Sequence, residues 1–466
     1  MMLALYARMI SERPISIPGR PLSRPPAPRP AGGRSVSEPG LLVPAQRWSI
    51  ALVLVFLLWI TVFFGPDFWF AANGISMGRK VANYLYVLLA GLVVMRAPAP
   101  SKATWSLPFL CFLLGASFSI PFAENTGIAR GGVFKILALY WVLTVGSLVF
   151  IRRLDKAALL NRLFLLQFPW WAGQALFADA TFGRTAWHPI RWHPDLSNTD
   201  AFGPLMVIGM AFSFYYAVAA RRAPARVLAF VVTALCVVGI VAAYTRGATL
   251  AAGLIVLYVW LRSPHTGKTT RGLLLATAVF LIATNLIYPN GQFWARLGTI
   301  TSEGTSAGTG ADRWALWHIG WRVFLMRPLV GVGADNFGIF AYSHIPTAEL
   351  PGSYHLNEWF IYGRGLHNIY VQLLAEFGLV GAACFGWMLV DFWQRNRDLR
   401  TQPFRLAWQR LGPAGIDLRT LSLAFEGGMV AFLLTGCFYN EIYEPWLYSL
   451  LALNGVLHLT LKRSLA

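Results

Sequence analysis

Apolar residues follow one another in long stretches along most of this chain, separated by short polar connections. Such stretches occupy 48–65, 79–95, 105–121, 132–151, 158–178, 200–220, 226–244, 247–261, 272–289, 367–392, 420–439 and 445–461. A helix needs about 20 mostly apolar residues to cross the hydrocarbon core of a bilayer. The pattern therefore predicts an all-α polytopic membrane protein with about twelve transmembrane helices.

Two polar segments interrupt this pattern. Residues 1–47 are basic and rich in proline, which is typical of a disordered tail. Residues 290–366 form the longest polar segment and separate nine predicted spans (48–289) from three (367–466). Inside this segment a capping pattern at 309–312 precedes tryptophans at helical spacing, so we expect a large, partly helical loop. For the tryptophans themselves we favour a packing role.

Composition agrees with a membrane protein, since 56% of the residues are hydrophobic and only 13% are charged. The formal charge of +19 could indicate nucleic-acid binding. With a cytoplasmic N-terminus, however, 26 of the 39 lysines and arginines fall on inside segments, as the positive-inside rule expects. No nucleic-acid partner is needed. This topology places both termini in the cytoplasm and residues 290–366 in the periplasm or exterior.

The same topology brings several cationic and titratable residues to the outer face. Arg246 occupies a very short outer connection, and Arg313 and His367 lie at the two ends of the large loop. Ionisable groups at membrane depth are functional candidates. For Arg246 the alternative is a side chain that snorkels to lipid phosphates. Arg191 lies in a further outer loop.

Three other groups of residues are weaker candidates. His188, His193 and Asp195 match no standard metal spacing, and we predict neither a metal nor a cofactor. Glu376 lies nine residues after His367, on the opposite side of a helix, and is expected to pair inside the bundle. For the outer-face residues Glu441 and Glu444 we favour a solvated turn over a contact to sugar hydroxyls. The four cysteines all lie in apolar runs, so no disulfide framework can be read.

Five short motifs follow one another at the outer face in a particular order. They are Thr245-Arg246-Gly247, Arg313-Trp314, Pro328 to Phe337, His367-Asn368 and Leu374 to Gly378. Their order and spacing resemble the O-antigen ligase and O-antigen polymerase superfamily, over residues 240–390. These are enzymes that transfer glycans from undecaprenyl diphosphate at the periplasmic face of the bacterial inner membrane.

The resemblance implies roles for particular residues. The two functional arginines of the family would correspond to Arg246 and Arg313, and its essential histidine to His367. A histidine can take the proton of an acceptor hydroxyl near neutral pH, and arginines can hold a diphosphate without a metal. The resemblance implies a metal-independent, inverting transfer. We expect Arg191 and Asn368 to help bind substrate.

The first hypothesis is therefore an O-antigen ligase, a multi-pass inner-membrane enzyme that uses an undecaprenyl-diphosphate-linked glycan donor and a lipid A–core acceptor among membrane lipids. A polymerase of repeat units, or a ligase to protein side chains, would use the same residues with another acceptor. A solute transporter, of a kind related to bicarbonate transport, is the alternative from another class. It would show paired internal repeats with broken helices, and the sequence has no such repeat.

Overall fold

The computed structural model describes residues 46–66, 77–96, 106–182, 199–263, 266–303, 308–346, 364–412 and 416–465. In these ranges the regular structure is helical, and an isolated β-bridge joins Ala220 to Ile416. The predicted tail lies outside the described residues up to residue 45. The outer loop that contains His188, Arg191, His193 and Asp195 lies outside them as well.

The helices before the large loop follow the predicted spans. They are α1 (Ile50–Phe64), α2 (Met77–Arg96), α3 (Leu107–Phe118), α4 (Thr126–Phe150), α5 (Leu154–Phe182), α6 (Thr199–Ala219), α7 (Ala223–Ala243), α8 (Arg246–Arg262) and α9 (Thr266–Ile287). A π-helical turn lies within α4, at Gly131–Leu137.

Within the described residues, the large loop contributes three helices and the C-terminal part four more. They are α10 (Gln292–Glu303), α11 (Gly308–Met326), α12 (Phe337–His344), α13 (Ile369–Asp398), α14 (Gln402–Leu411), α15 (Leu418–Thr435) and α16 (Pro445–Leu465). The tryptophan-bearing helix of the loop was predicted from the sequence, and α11 confirms it. Its end at Met326 agrees with the helix-stopping Arg327-Pro328 pair.

Every predicted span overlaps a helix of the structure, which confirms the all-helical architecture. Among the helices of the described ranges, six are long and apolar enough to cross a membrane, namely α4, α6, α7, α9, α13 and α15. The count of twelve crossings, and the periplasmic position of residues 290–366, stay predictions.

Helix α6 lies at the centre of the bundle, between α7 and α15. In the 18-residue apolar stretch of α6, 89% of the residues are buried within the protein. Its own apolar residues, such as Phe202, Met206 and Phe212, are fully buried. Because α6 is enclosed by its neighbours, its two ends are held at fixed positions.

Helix α13 is interrupted at Gly378, where the backbone leaves the helical conformation with φ 62°. The loop segment 328–333, which precedes α12, makes backbone hydrogen bonds to the residues on both sides of this break. Those bonds run from Val332 N to Ala375 O, Gly333 N to Glu376 O, Leu379 N to Pro328 O and Val380 N to Leu329 O. A Cβ on Gly378 would lie 2.4 Å from the carbonyl carbon of Leu329, and one on Gly331 would lie 2.3 Å from that of Glu376. Gly331 and Gly378 belong to two of the motifs that carry the family resemblance. These two motifs therefore contact each other through their backbones, and we call this contact the joint.

Substitution of Gly378 by alanine is expected to destabilise the protein strongly. The new Cβ would meet the Leu329 backbone while the residue is held at positive φ, and the two effects together cost about 3 kcal/mol. Thermal unfolding of the purified protein, followed by tryptophan fluorescence, measures the change. Gly386→Ala on the same helix is the control, because a Cβ there meets nothing within 4 Å. Equal melting temperatures for the two variants would contradict the proposed joint.

Candidate active site

An aspartate, an arginine and a histidine from three distant parts of the chain meet at the N-terminal end of α6. Asp200 lies in the first turn of α6, where a carboxylate is favoured by the helix dipole. One of its oxygens lies 3.7 Å from Arg313 Nη2, and the other lies 3.4 Å from His367 Nδ1. The three side chains are 28%, 25% and 22% exposed, so a ligand can reach them. We call Asp200, Arg313 and His367 the Asp200 cluster.

The turn between α7 and α8 packs directly against the start of α6. A Cβ on Gly203 would lie 2.9 Å from the Ala248 Cβ and 3.1 Å from Thr245 Oγ1, so only a glycine allows this approach. Helix α7 is followed by its C-cap residue Tyr244, which adopts a left-handed conformation with φ 55°. The close packing places Arg246, the first residue of α8, at the same end of the bundle as Asp200.

Arg246 is held within the protein. Its Nη1 donates a hydrogen bond of 2.6 Å to Thr299 Oγ1 of α10. This contact differs from the lipid-facing alternative weighed from the sequence, because the guanidinium reaches a helix of the large loop. Arg246 therefore connects the α7–α8 turn to the loop that covers it.

Tyr439, between α15 and α16, joins the Arg246 turn to the Asp200 cluster. Its hydroxyl donates to Thr245 Oγ1 at 3.0 Å and accepts from Ala248 N at 2.9 Å. The guanidinium carbon of Arg313 lies 5.6 Å from the centre of the Tyr439 ring, within range of a cation–π interaction. The buried side chain of Tyr439 thereby contacts both Arg313 and the turn that carries Arg246.

The backbone on both sides of His367 is hydrogen-bonded to neighbouring parts of the fold. Trp317 of α11 donates a 2.9 Å hydrogen bond to the carbonyl of Leu366, so this tryptophan does more than pack. Ile369 N donates at 2.8 Å to Gly436 O, at the end of α15. His367 itself has φ 49°, a conformation that costs energy for a residue with a side chain and is found at functional sites.

The electrostatic surroundings keep His367 neutral near pH 7. Burial lowers the pKa of His367, and the positive charges of Arg313 and Arg364 lower it further, whereas the charge of Asp200 raises it. The net direction is downward from the usual value of 6.5. Within the described residues Nδ1 makes no hydrogen bond, although Asp200 faces it. A neutral imidazole at this position can accept a proton.

Asn368 caps helix α13. Its side-chain oxygen accepts from Tyr370 N and Val371 N, and its amide nitrogen donates to Cys437 O. Both ends of the amide thus hold the backbone beside His367. The substrate contact predicted for Asn368 stays a prediction, as does that of Arg191.

Two of the weaker candidates have clear outcomes. Glu376 pairs inside the bundle as predicted, since it accepts hydrogen bonds from Tyr443 (2.6 Å) and Gln372 (3.2 Å). The favoured solvated turn for Glu441 is wrong. Glu441 is 1% exposed and accepts a 3.0 Å bond from Thr435, because the turn folds back onto the end of α15. Burial raises the pKa of Glu441 well above its usual value.

Sequence reasoning missed two residues of this site, Asp200 and Tyr439. Each lies at the outer end of a predicted span, 200–220 for Asp200 and 420–439 for Tyr439. A carboxylate at such an end is a usable signal, since it is costly near the membrane unless it is paired. Nothing local distinguishes Tyr439 from the other aromatic residues of the spans.

Taken together, the helices and the Asp200 cluster define a helical membrane protein with a charged, accessible site at one end of its bundle. Residues 229–386 match the family model described as O-antigen ligase, which confirms the resemblance to the O-antigen ligase and polymerase superfamily. The matched segment contains Arg246, Arg313 and His367, and Asp200 and Tyr439 lie outside it. No curated protein matches the chain. The family match gives no support to a solute transporter.

Proposed function

We propose that this protein is an O-antigen ligase of the bacterial inner membrane. It moves a glycan from undecaprenyl diphosphate to the lipid A–core oligosaccharide at the periplasmic face. The observation that carries the proposal is the Asp200 cluster, in which Asp200 bridges Arg313 and a neutral His367. A base and cations side by side are what glycosyl transfer from a lipid diphosphate requires.

In the proposed reaction an acceptor hydroxyl oxygen attacks the anomeric carbon of the donor glycan. The bond between that carbon and the diphosphate oxygen breaks, and undecaprenyl diphosphate leaves with the electron pair. The acceptor proton passes to His367. Because Asp200 faces Nδ1, Nε2 is the ring nitrogen that receives it. Attack from the side opposite the leaving group inverts the anomeric configuration.

Arg246 and Arg313 stabilise the negative charge that develops on the diphosphate. One guanidinium group can donate to two phosphate oxygens at once. Two arginines together also supply the positive charge that a divalent metal would otherwise supply. Arg246 lies on the α7–α8 turn and Arg313 on α11, and Tyr439 links the two elements. The loop that carries α10 and α11 would close over the lipid-linked donor through the Arg246–Thr299 contact.

Asp200 is a positioning residue in this proposal. Its carboxylate faces His367 Nδ1 and Arg313 at once, so it can orient the imidazole and stabilise the imidazolium formed during transfer. The same carboxylate fixes the distance between the base and one of the phosphate-binding cations.

Reconstitution tests the proposed function. The purified full-length protein is placed in liposomes with an undecaprenyl-diphosphate glycan and one of three acceptors: lipid A–core, a second lipid-linked repeat unit, or an acceptor protein. We expect glycosylated lipid A–core with one undecaprenyl diphosphate released per transfer, unchanged by EDTA. Product from the repeat unit alone would indicate a polymerase, and product from the protein alone an oligosaccharyl ligase. Solute uptake without transfer with any acceptor would overturn the proposal.

Asp200→Asn is expected to reduce the plateau rate of transfer by about tenfold to a hundredfold and to move its pH dependence. The base must be neutral, so the rate falls as the pH decreases through the pKa of His367. Asp200 raises that pKa, and its neutralisation lowers it. The acidic limb of the rate profile therefore shifts to lower pH.

The control for this variant is Asp398→Asn. Asp398 also pairs with a histidine, His458, at 2.9 Å, at the C-terminal end of α13 and away from the site. We expect wild-type rates and an unchanged profile for it. A reduced rate for Asp200→Asn with an unmoved acidic limb would indicate a purely structural role for Asp200.

A further inference from the structure

A basic cavity lies at the other end of α6 from the Asp200 cluster. Helix α6 has 21 residues, which separates its ends by about 30 Å. The cavity has a volume of about 390 Å³, comparable to that of small-ligand pockets. Its charged lining consists of five cations and one carboxylate: Arg221, Arg226, Lys268, Arg405, Arg419 and Asp417.

The single carboxylate of the cavity is already engaged by the fold. Asp417 caps α15, and its Oδ2 accepts from Thr420 N at 2.9 Å and from Thr420 Oγ1 at 2.7 Å. Its own backbone N–H donates to Ala219 O at 3.0 Å, which fixes it against the end of α6. Asp417 therefore shapes the wall and neutralises only part of the positive charge.

Four of the five cations are unpaired in the described part of the chain. Arg226 donates to the carbonyl of Ala220, whereas the exposed side chains of Arg221, Lys268, Arg405 and Arg419 have no ion pair or hydrogen bond there. Other arginines of the C-terminal half are paired, since Arg262 and Arg400 both contact the buried Glu426. The cavity thus has an excess of positive charge that an anion would balance.

A topological preference for cations explains why these connections are basic but not why the side chains converge on one cavity. They come from four separate places: the α6–α7 connection with the first turn of α7, the start of α9, α14 and the start of α15. The cavity also lies beside a lipid-facing helix. In the 18-residue apolar stretch of α9, only 17% of the residues are buried within the protein. Lys268 is in the first turn of α9. A lipid that lies along α9 would bring its headgroup to the cavity.

We propose that this cavity binds the phosphate of an anionic phospholipid headgroup. Arginine binds phosphate oxygens through paired N–H groups, and basic pockets between transmembrane helices are suited to such headgroups. The acyl chains would lie along the exposed leucines and isoleucines of α9: Leu274, Leu275, Leu281, Ile282 and Leu286. The site is separate from the Asp200 cluster and does not depend on the proposed transferase activity.

Native mass spectrometry of the full-length protein in detergent tests the proposal. The protein is titrated with phosphatidylglycerol, with phosphatidylcholine of the same acyl chains, and with inorganic phosphate. We expect phosphatidylglycerol to bind at least about tenfold more tightly than phosphatidylcholine. The double variant Arg405→Gln/Arg419→Gln should weaken phosphatidylglycerol binding by about fivefold for each cation removed.

The matched control is Arg271→Gln/Arg410→Gln. Arg271 is on α9 and Arg410 on α14, both are exposed, and neither lines the cavity. Melting temperatures without lipid verify that both double variants are folded. An equal loss of binding in the control pair, or equal binding of phosphatidylcholine, would overturn the site. If inorganic phosphate displaced phosphatidylglycerol at equal affinity, the phosphate site would stand and its assignment to a lipid would be wrong.

Discussion

Replacement of His367 by asparagine is expected to reduce glycan transfer by about a thousandfold. The variant removes the group that takes the acceptor proton in the proposed reaction, and water is a poor replacement at neutral pH. Asparagine is preferred to alanine because His367 has φ 49°, a conformation that asparagine tolerates better than most residues. The loss should therefore come from chemistry and not from unfolding.

The measurement is single-turnover transfer in liposomes at saturating donor, together with the melting temperature of each variant. His344→Asn is the matched control. His344 is a histidine of the large loop whose ring stacks on Phe340, with centroids 4.1 Å apart, in its own helix. It should keep the wild-type rate. Transfer by His367→Asn within tenfold of wild type would exclude His367 as the base.

The residues of the site that sequence analysis identified are those carried by local motifs. Arg246, Arg313 and His367 stand beside recognisable turns and helix starts, and the structure brings Arg313 and His367 to one carboxylate. That carboxylate, Asp200, could not be deduced in the same way. Its role depends on the packing of α6 against the α7–α8 turn through Gly203, a contact between residues far apart in sequence.

The fold shows the same division between local and long-range information. Apolar runs predicted the helices with boundaries close to those of the structure, because each run is a local property. The break in α13 lies within such a run, and its cause is the loop segment that begins at Pro328. The turn that contains Glu441 was misjudged for a similar reason, since its burial depends on the neighbouring helix ends.

The geometry suggests why the charged residues lie at helix ends. Asp200 is the second residue of α6, Arg246 is the first residue of α8, and His367 lies two residues before α13. Helix ends in a packed bundle are rigid, yet they reach the surface, where the lipid-linked donor and the large acceptor of the proposed reaction would approach. A site built in this way combines fixed distances between charges with access from outside the bundle.

The two arginines are expected to differ in how their loss affects catalysis, although both losses should be large. Arg246→Gln and Arg313→Gln should each reduce transfer by about a hundredfold to a thousandfold, as expected for the removal of one group that stabilises the leaving charge. Lysine at either position should restore only part of the rate, since an ammonium group cannot bind two phosphate oxygens in the same planar geometry. Arg327→Gln is the control, an exposed arginine immediately after the same helix that carries Arg313.

The pH dependence of the transfer rate is expected to distinguish the Arg313 variant from the Arg246 variant. Arg313 lowers the pKa of His367, so Arg313→Gln raises it and moves the acidic limb of the transfer rate to higher pH. This shift is opposite in sign to that of Asp200→Asn, because the two residues bear opposite charges beside the same imidazole. Arg246 is hydrogen-bonded to Thr299 of α10, so its loss should lower the rate with a much smaller shift. Shifts of the same sign for Arg313→Gln and Asp200→Asn would show that His367 is not the group whose protonation limits transfer.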